Sequence, residues 1–128
     1  MRTRERPRLG DLELRILNVL WEQGPATVRT VLEALPERGR PAYTTVLTMM
    51  RLMHEKGYLD REERGKAHVY RPRLQERRVK RGLLRGLIDG AFRGSAEALL
   101  VRLLEEERLS PAELARIRQL IDEQEGMP

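Results

Sequence analysis

Between Ala42 and Lys56 the apolar residues Val46, Met49, Met50 and Met53 recur at spacings of three and four. That period predicts one helix with a single core-facing stripe. Thr44, Thr48 and Arg51 fall on the opposite side, with Leu47 beside them. Gly57 stands where a left-handed cap residue is expected, and Lys56 stands at the negative end of the helix dipole. An ordinary amphipathic surface helix would show the same stripe. The outer face is nonetheless narrow, rich in hydroxyls, and free of acid before Glu55. Arg can bond guanine edges, Thr can bond bases or phosphates, and Leu or a Thr methyl can touch a thymine methyl, so the face suits a major groove.

Upstream, the spacing predicts two shorter helices. The first begins near Gly10, with Asp11 and Glu13 in its first turn and Leu9 and Leu14 spaced as a hydrophobic staple. Leu14, Ile16, Leu17, Leu20 and Trp21 give it a broad apolar face, with Trp21 as a core anchor, and Gly24-Pro25 stops it. The second starts at Thr27 as N-cap, carries Val28, Val31, Leu32 and Leu35, and ends at Pro36. The connector Pro36–Pro41 is rich in turn formers. Three short helices with tight connections, the third hydroxyl-rich outside, fit a helix-turn-helix unit.

Downstream, the period changes to two. Residues 58–63 and 66–71 read as strands flanking a turn at Arg64-Gly65, with Pro72 closing the second. This hairpin would form a wing, with Arg64 and Lys66 at its tip and Leu59, Val69 and Tyr70 packing it on the helices. His54 and His68 read as structural residues, since a lone His makes a poor metal site.

From Leu74 the chain reads as a charged linker or first turn, Gln75–Arg81, followed by helical apolar positions Leu83, Leu84, Leu87, Ile88 and Phe92. Gly90 and Gly94 predict a break. A further helix carries Ala98 to Leu104, and Ser110-Pro111-Ala112-Glu113 is a capping box with Pro at the first helical position. Leu114, Ile117, Leu120 and Ile121 follow as one stripe. The expected fold class is mainly α with a small β-hairpin wing. Residues 1–73 form a winged helix-turn-helix DNA-binding domain, and residues 74–128 a helical dimerisation domain. The tail offers more apolar surface than a segment of its size can bury alone. Its expected cover is a second copy of the chain, through Leu84, Leu87, Ile88, Leu99, Leu100, Leu103, Leu104, Ile117 and Leu120. Packing back on the winged part in a monomer is the alternative.

Composition sharpens this picture. Of 128 residues, 35% are charged and 4% aromatic, so the core is aliphatic and methionine-rich. Residues 1–82 hold 19 Lys+Arg against 11 Asp+Glu, a net of +8; residues 83–128 hold 6 against 9, a net of −3. A basic front half suits a polyanionic partner. Residues 1–8 read as a flexible basic arm. The absence of cysteine excludes disulfides, thiolate metal sites and cysteine nucleophiles. No apolar run approaches a membrane span, and no signal-peptide core follows the basic start, so a cytoplasmic protein without membrane attachment is expected. There is no Gly-rich phosphate loop, His-carboxylate constellation or metal cluster; the expectation is a protein that is not an enzyme and carries no metal or cofactor.

Leu9 to Trp21 with Glu22, the run Tyr43-Thr44-Thr45-Val46-Leu47-Thr48, Glu55-Lys56-Gly57, and Val69-Tyr70 together resemble the penicillinase repressor family (BlaI and MecI, with the copper-responsive CopY branch). Phe92-Arg93-Gly94-Ser95 and Leu109 to Leu114 extend the resemblance to about residue 124. The resemblance implies a homodimeric transcriptional repressor on inverted-repeat operator DNA. It implies base reading by Thr44, Thr45, Thr48 and Arg51, with Leu47 at the groove floor or edge, and phosphate contacts from Tyr43, Arg64, Lys66 and Arg40. Family members commonly carry Arg where Leu52 stands here, and this chain has Arg51 one position earlier. Without cysteine, copper sensing by thiolates is excluded. Relatives are inactivated by a regulatory protease at a polar–aromatic pair in the dimerisation helix; the matching place, near Arg102-Leu103, lacks that pair. A winged-helix module that docks on protein instead of DNA is the competing reading, and it would call for an apolar or acidic outer face on the third helix.

Overall fold

The computed structural model describes residues 9–126; the basic stretch expected as an arm, residues 1–8, lies outside the described residues. The order of elements is α1 (Asp11–Gln23), α2 (Val28–Ala34), α3 (Tyr43–Glu55), β1 (Leu59–Arg64), β2 (Ala67–Pro72), α4 (Glu76–Ala91), α5 (Ala96–Glu106) and α6 (Pro111–Glu125). The chain divides into two compact units, Met1–Leu83 and Leu84–Pro128. The division falls inside α4. The charged run from Glu76 is helical because Arg, Lys and Glu are good helix formers, and Glu76 pairs with Lys80 one turn on at 2.6 Å.

In the first unit, α1, α2 and α3 close around one core. Ile16, Leu17 and Leu20 of α1, Val31 of α2, and Val46, Met50 and Met53 of α3 are buried together with Leu59 and Tyr70 of the hairpin. Met49, expected in the same stripe, is half-buried at its edge. Trp21 is also half-buried; its Nε1–H donates to Leu74 O at 3.0 Å, and the Lys80 ammonium lies 5.5 Å from the ring centroid. These contacts hold the first turns of α4 against α1.

Each helix end follows from a nearby residue. The Gly10 amide donates to Glu13 Oε1 at 2.7 Å, and Thr27 Oγ1 accepts from the Thr30 amide at 3.2 Å. At the C-terminus of α3, Gly57 N–H bonds His54 O at 3.0 Å and Tyr58 N–H bonds Met53 O at 2.9 Å. That pair of bonds is a Schellman closure, and Gly57 supplies its left-handed φ of 84°. Lys56 does more than face the helix dipole: its Nζ reaches buried Glu13 at 3.4 Å and ties α3 to the start of α1.

The hairpin pairs Leu59 with Pro72 through to Arg64 with Ala67, leaving Gly65-Lys66 as the two-residue loop. The expected turn at Arg64-Gly65 is therefore displaced by one residue. Gly65 takes the first loop position with a φ of 63°, where a hairpin of this length favours glycine. Ala26, between α1 and α2, exchanges both backbone bonds with Tyr70, at 3.0 and 2.8 Å. This one-residue bridge ties β2 of the two-stranded hairpin to the segment between α1 and α2.

In the second unit, α4 ends at Ala91, and Arg93 and Gly94 at positive φ turn the chain into α5. Ser95 Oγ caps α5 through the Ala98 amide at 3.0 Å. The predicted capping box opens α6: Glu113 N–H bonds Ser110 Oγ at 3.0 Å and Ser110 N–H bonds Glu113 Oε1 at 2.8 Å. The Ser110 amide, and after it the Ser110 hydroxyl, favour the ionised carboxyl, so the Glu113 pKa lies below the ordinary Glu value. Ile88 is the buried residue among those described in this unit. None of the helices is long and apolar enough to cross a membrane among the described residues.

Candidate nucleic-acid interface

The sequence of α3 divides it by side. With Val46, Met50 and Met53 turned inward, the 100° step per residue forces Thr44, Thr45, Thr48, Arg51 and Leu52 outward, and all five are exposed. Leu47, expected at the groove floor or edge, is half-buried against the core. The Thr44, Thr45 and Thr48 hydroxyls bond no other described residue, and Arg51 has no carboxylate partner among the described residues. The face thus presents unspent donors and acceptors with methyl groups between them. Thr44, Thr45, Thr48, Met49 and Leu52 line one shallow groove along it. The one acid of α3, Glu55, lies at the far C-terminal end.

A second cleft opens beside this face. Thr27 and Arg29 of α2, Tyr43 and Leu47 of α3, and Lys66 and His68 of the hairpin line it, with Tyr70 behind them. The Arg29 guanidinium sits 4.8 Å above the Tyr43 ring centroid, a cation–π distance. Lys66 has no ion-pair partner among the described residues, so the cleft carries two uncompensated cations and a phenol hydroxyl. Such a set matches a backbone phosphate, which accepts hydrogen bonds and carries the opposite charge. The structure therefore brings Tyr43 and Lys66 together and adds Arg29. The charge pattern of α2 gave no sign of Arg29, since only the fold sets it above Tyr43. Arg64 is exposed near the hairpin loop, with Glu62 at 3.9 Å; the same Glu62 accepts from Arg71 at 3.1 Å.

Arg40 is placed differently from its expected phosphate role. Its Nε and Nη2 donate to Leu35 O, and Nη2 also donates to Glu33 O at 3.2 Å. Leu35 and Glu33 end α2, whose last carbonyls have no intrahelical donors. Arg40 is thus a C-terminal cap of α2, supplied by the connector. Leu52 is the other adjustment. Its exposed place, one turn after Thr48, puts it on the same face as the threonines.

The nine apolar residues expected at an interface between copies fall into three sets. Leu84, Leu87, Leu100, Leu103, Leu104 and Leu120 are exposed, Leu99 and Ile117 are half-buried, and Ile88 is already buried within the chain. His54 and His68 are half-buried, and no group of three or more His, Cys, Asp or Glu is arranged to hold a metal among the described residues.

A family model described as penicillinase repressor matches residues 9–123. A protein named transcriptional regulator BlaI, from Mycobacterium tuberculosis, is 35% identical over 121 residues, 93% of this chain and 86% of its own length. The penicillinase repressor of Bacillus licheniformis is 23% identical over 117 residues, 91% of each chain. Among solved structures, the DNA-binding domain of the repressor BlaI aligns with a TM-score of 0.50 and 26% identity, over 56% of this chain and 88% of that one.

Proposed function

This chain belongs to the penicillinase repressor family, and from that premise we propose that it is a homodimeric transcriptional repressor that reads inverted-repeat DNA with α3. One observation carries the reading: among the described residues, the exposed side of α3 holds three unspent threonine hydroxyls and an unpaired Arg51, beside a cleft with two uncompensated cations. A protein-docking surface would present mainly apolar or acidic groups there, not hydroxyls and cations beside one exposed leucine. Thr44, Thr45, Thr48 and Arg51 meet base edges; Arg29, Tyr43, Lys66 and Arg64 meet phosphates on either side. Residues 1–73 supply the DNA-binding part, and the exposed leucines of α4, α5 and α6 supply the contact between two copies. A dimer places two copies of α3 on half-sites one helical turn apart, which multiplies a discrimination that one short face could not achieve. The site of action is the cytoplasm, where the chromosome is. The Arg102-Leu103 bond lies inside α5, with Arg102 near Glu105 and Glu106 at 3.9 and 3.6 Å. A regulatory protease cutting there would first need local opening of α5.

The test is selection of tight-binding duplexes from random-sequence DNA, followed by a salt titration. Palindromic sites should emerge. With Arg29, Arg64 and Lys66 from each protomer on phosphates, log K should fall against log salt with a slope of about −5. Arg51→Ala should relax base preference at one position of each half-site and cost about 1–3 kcal/mol. Equal affinity for all sequences would reduce the protein to a nonspecific binder.

A further inference from the structure

Outside α4, the exposed large hydrophobic residues of the first unit are Tyr43 and Leu52, among the described residues. Tyr43 is accounted for by the Arg29 cation above it. Leu52 is not. It is 43% exposed and makes no part of the packed core, whereas its half-buried neighbour Met49 does. An exposed leucine alone means little. Its surroundings give it a use: with Met49 and the threonines at 44, 45 and 48 it forms a groove on the outer face of α3. No charged residue lines that groove among the described residues. Its lining is mostly apolar, from the side chains of the threonines, Met49 and Leu52. Arg51, with no ion-pair partner among the described residues, stands next to it along the chain.

We propose that this groove seats the C5 methyl of a thymine, making Leu52 a specificity-determining residue that favours thymine at one position in each half-site. The proposal rests on the reading of α3 as the base-reading helix. The chemistry is selective because the methyl projects into the major groove, and thymine alone among the four bases carries it. A leucine cannot bond a base edge, so it contributes only where an apolar group meets it. The apolar groove then disfavours cytosine, which lacks the methyl. Arg51 beside it adds guanine preference at a neighbouring step. A chain with arginine in place of Leu52 would lose the thymine seat and gain a second guanine-type donor.

The experiment replaces thymines with deoxyuridine, one position at a time, in a duplex selected by the full-length protein. Deoxyuridine keeps every base-pair hydrogen bond and lacks only the methyl. Losing the burial of one methyl should weaken binding about fourfold per half-site, and roughly fifteenfold when both half-sites are changed. The Leu52→Ala protein should bind thymine and deoxyuridine duplexes alike at that position. Leu52 is exposed, so its loss leaves the core intact, which circular dichroism would verify. Sequence-selective binding that ignores deoxyuridine at every position would overturn the thymine seat and leave the DNA reading standing. A deoxyuridine effect that survives in Leu52→Ala would remove the role from Leu52. A protein that selects no sequence at all would overturn the base-reading helix itself, and this inference with it.

Discussion

The substitution Leu104→Asp tests the proposed contact between copies where the structure makes it most vulnerable. Leu104 is 55% exposed and Leu100, one turn earlier on α5, is 54% exposed. Full burial of a leucine is worth about 1.5–3 kcal/mol, so covering the exposed half of one contributes about 1 kcal/mol. The six exposed leucines, counted on both protomers, give a gross gain of about 12 kcal/mol. Association itself costs an estimated 4–15 kcal/mol. With margins this narrow, one leucine matters. Aspartate at 104 removes about 1 kcal/mol of burial per copy and strands a carboxylate that costs at least about 1–3 kcal/mol more. Two-fold symmetry doubles the loss to about 4–8 kcal/mol, which weakens the dimer by nearly a thousandfold or more. Sedimentation velocity over a concentration series measures this directly, with circular dichroism verifying that helix content is kept. A Leu104→Asp protein that dissociates at the same concentration as the unsubstituted one would refute the assignment of this face to the dimer.

Three further outcomes follow from particular contacts. Arg40→Ala should cost about 1–2 kcal/mol in urea unfolding, because the last carbonyls of α2 lose their donors, while the salt slope of DNA binding stays unchanged; a shallower slope would return Arg40 to the phosphates. Gly57→Ala should cost about 1–2 kcal/mol by thermal unfolding, purely from the left-handed backbone, since an added Cβ would meet nothing closer than Arg73 Nη1 at 3.9 Å; a neutral effect would contradict the Schellman closure. The Glu113 pKa is lowered by the Ser110 amide and hydroxyl, so its stabilising effect is complete above the ordinary Glu value and is lost as pH falls through the lowered folded value. Amide exchange at Ser110 should therefore accelerate as pH drops below that range, after correction for intrinsic rates, and Glu113→Ala should abolish the pH dependence.

Much of the fold was legible because the decisive signals are local. Val46, Met50 and Met53 fix the buried side of α3 by spacing alone, and Gly57 fixes its end. Ser110 to Glu113 specifies the start of α6 within four residues. Leu59 and Tyr70 fix the hairpin's inner side, whereas Val69, also expected there, lies on the opposite face of β2 outside the core cluster. The features that escaped depend on partners distant in sequence. The hairpin loop moved to Gly65-Lys66 because Arg64 is paired with Ala67, and either placement supplies Gly65 with positive φ. The bridge at Ala26 is a single residue, too short to leave a period. Buried Glu13 is held by Lys56, which no periodicity connects to it. Arg40 reads as a surface cation until the Pro36–Pro41 connector folds it back on α2. At the candidate interface, the outward placement of Thr44, Thr48 and Arg51 was readable from helical geometry and Thr45 came with the family resemblance, whereas the stacking of Arg29 on Tyr43 and the exposure of Leu52 required the packed structure.

The most direct test of α3 as the DNA-reading element is an NMR titration of the isotope-labelled full chain with a selected duplex. The largest shifts should cluster on Thr44, Thr45, Thr48, Arg51 and Leu52, with Lys66 and Tyr43 beside them, while the α6 amides stay fixed. Saturable, sequence-selective binding that leaves the α3 resonances in place and moves another surface would contradict the account.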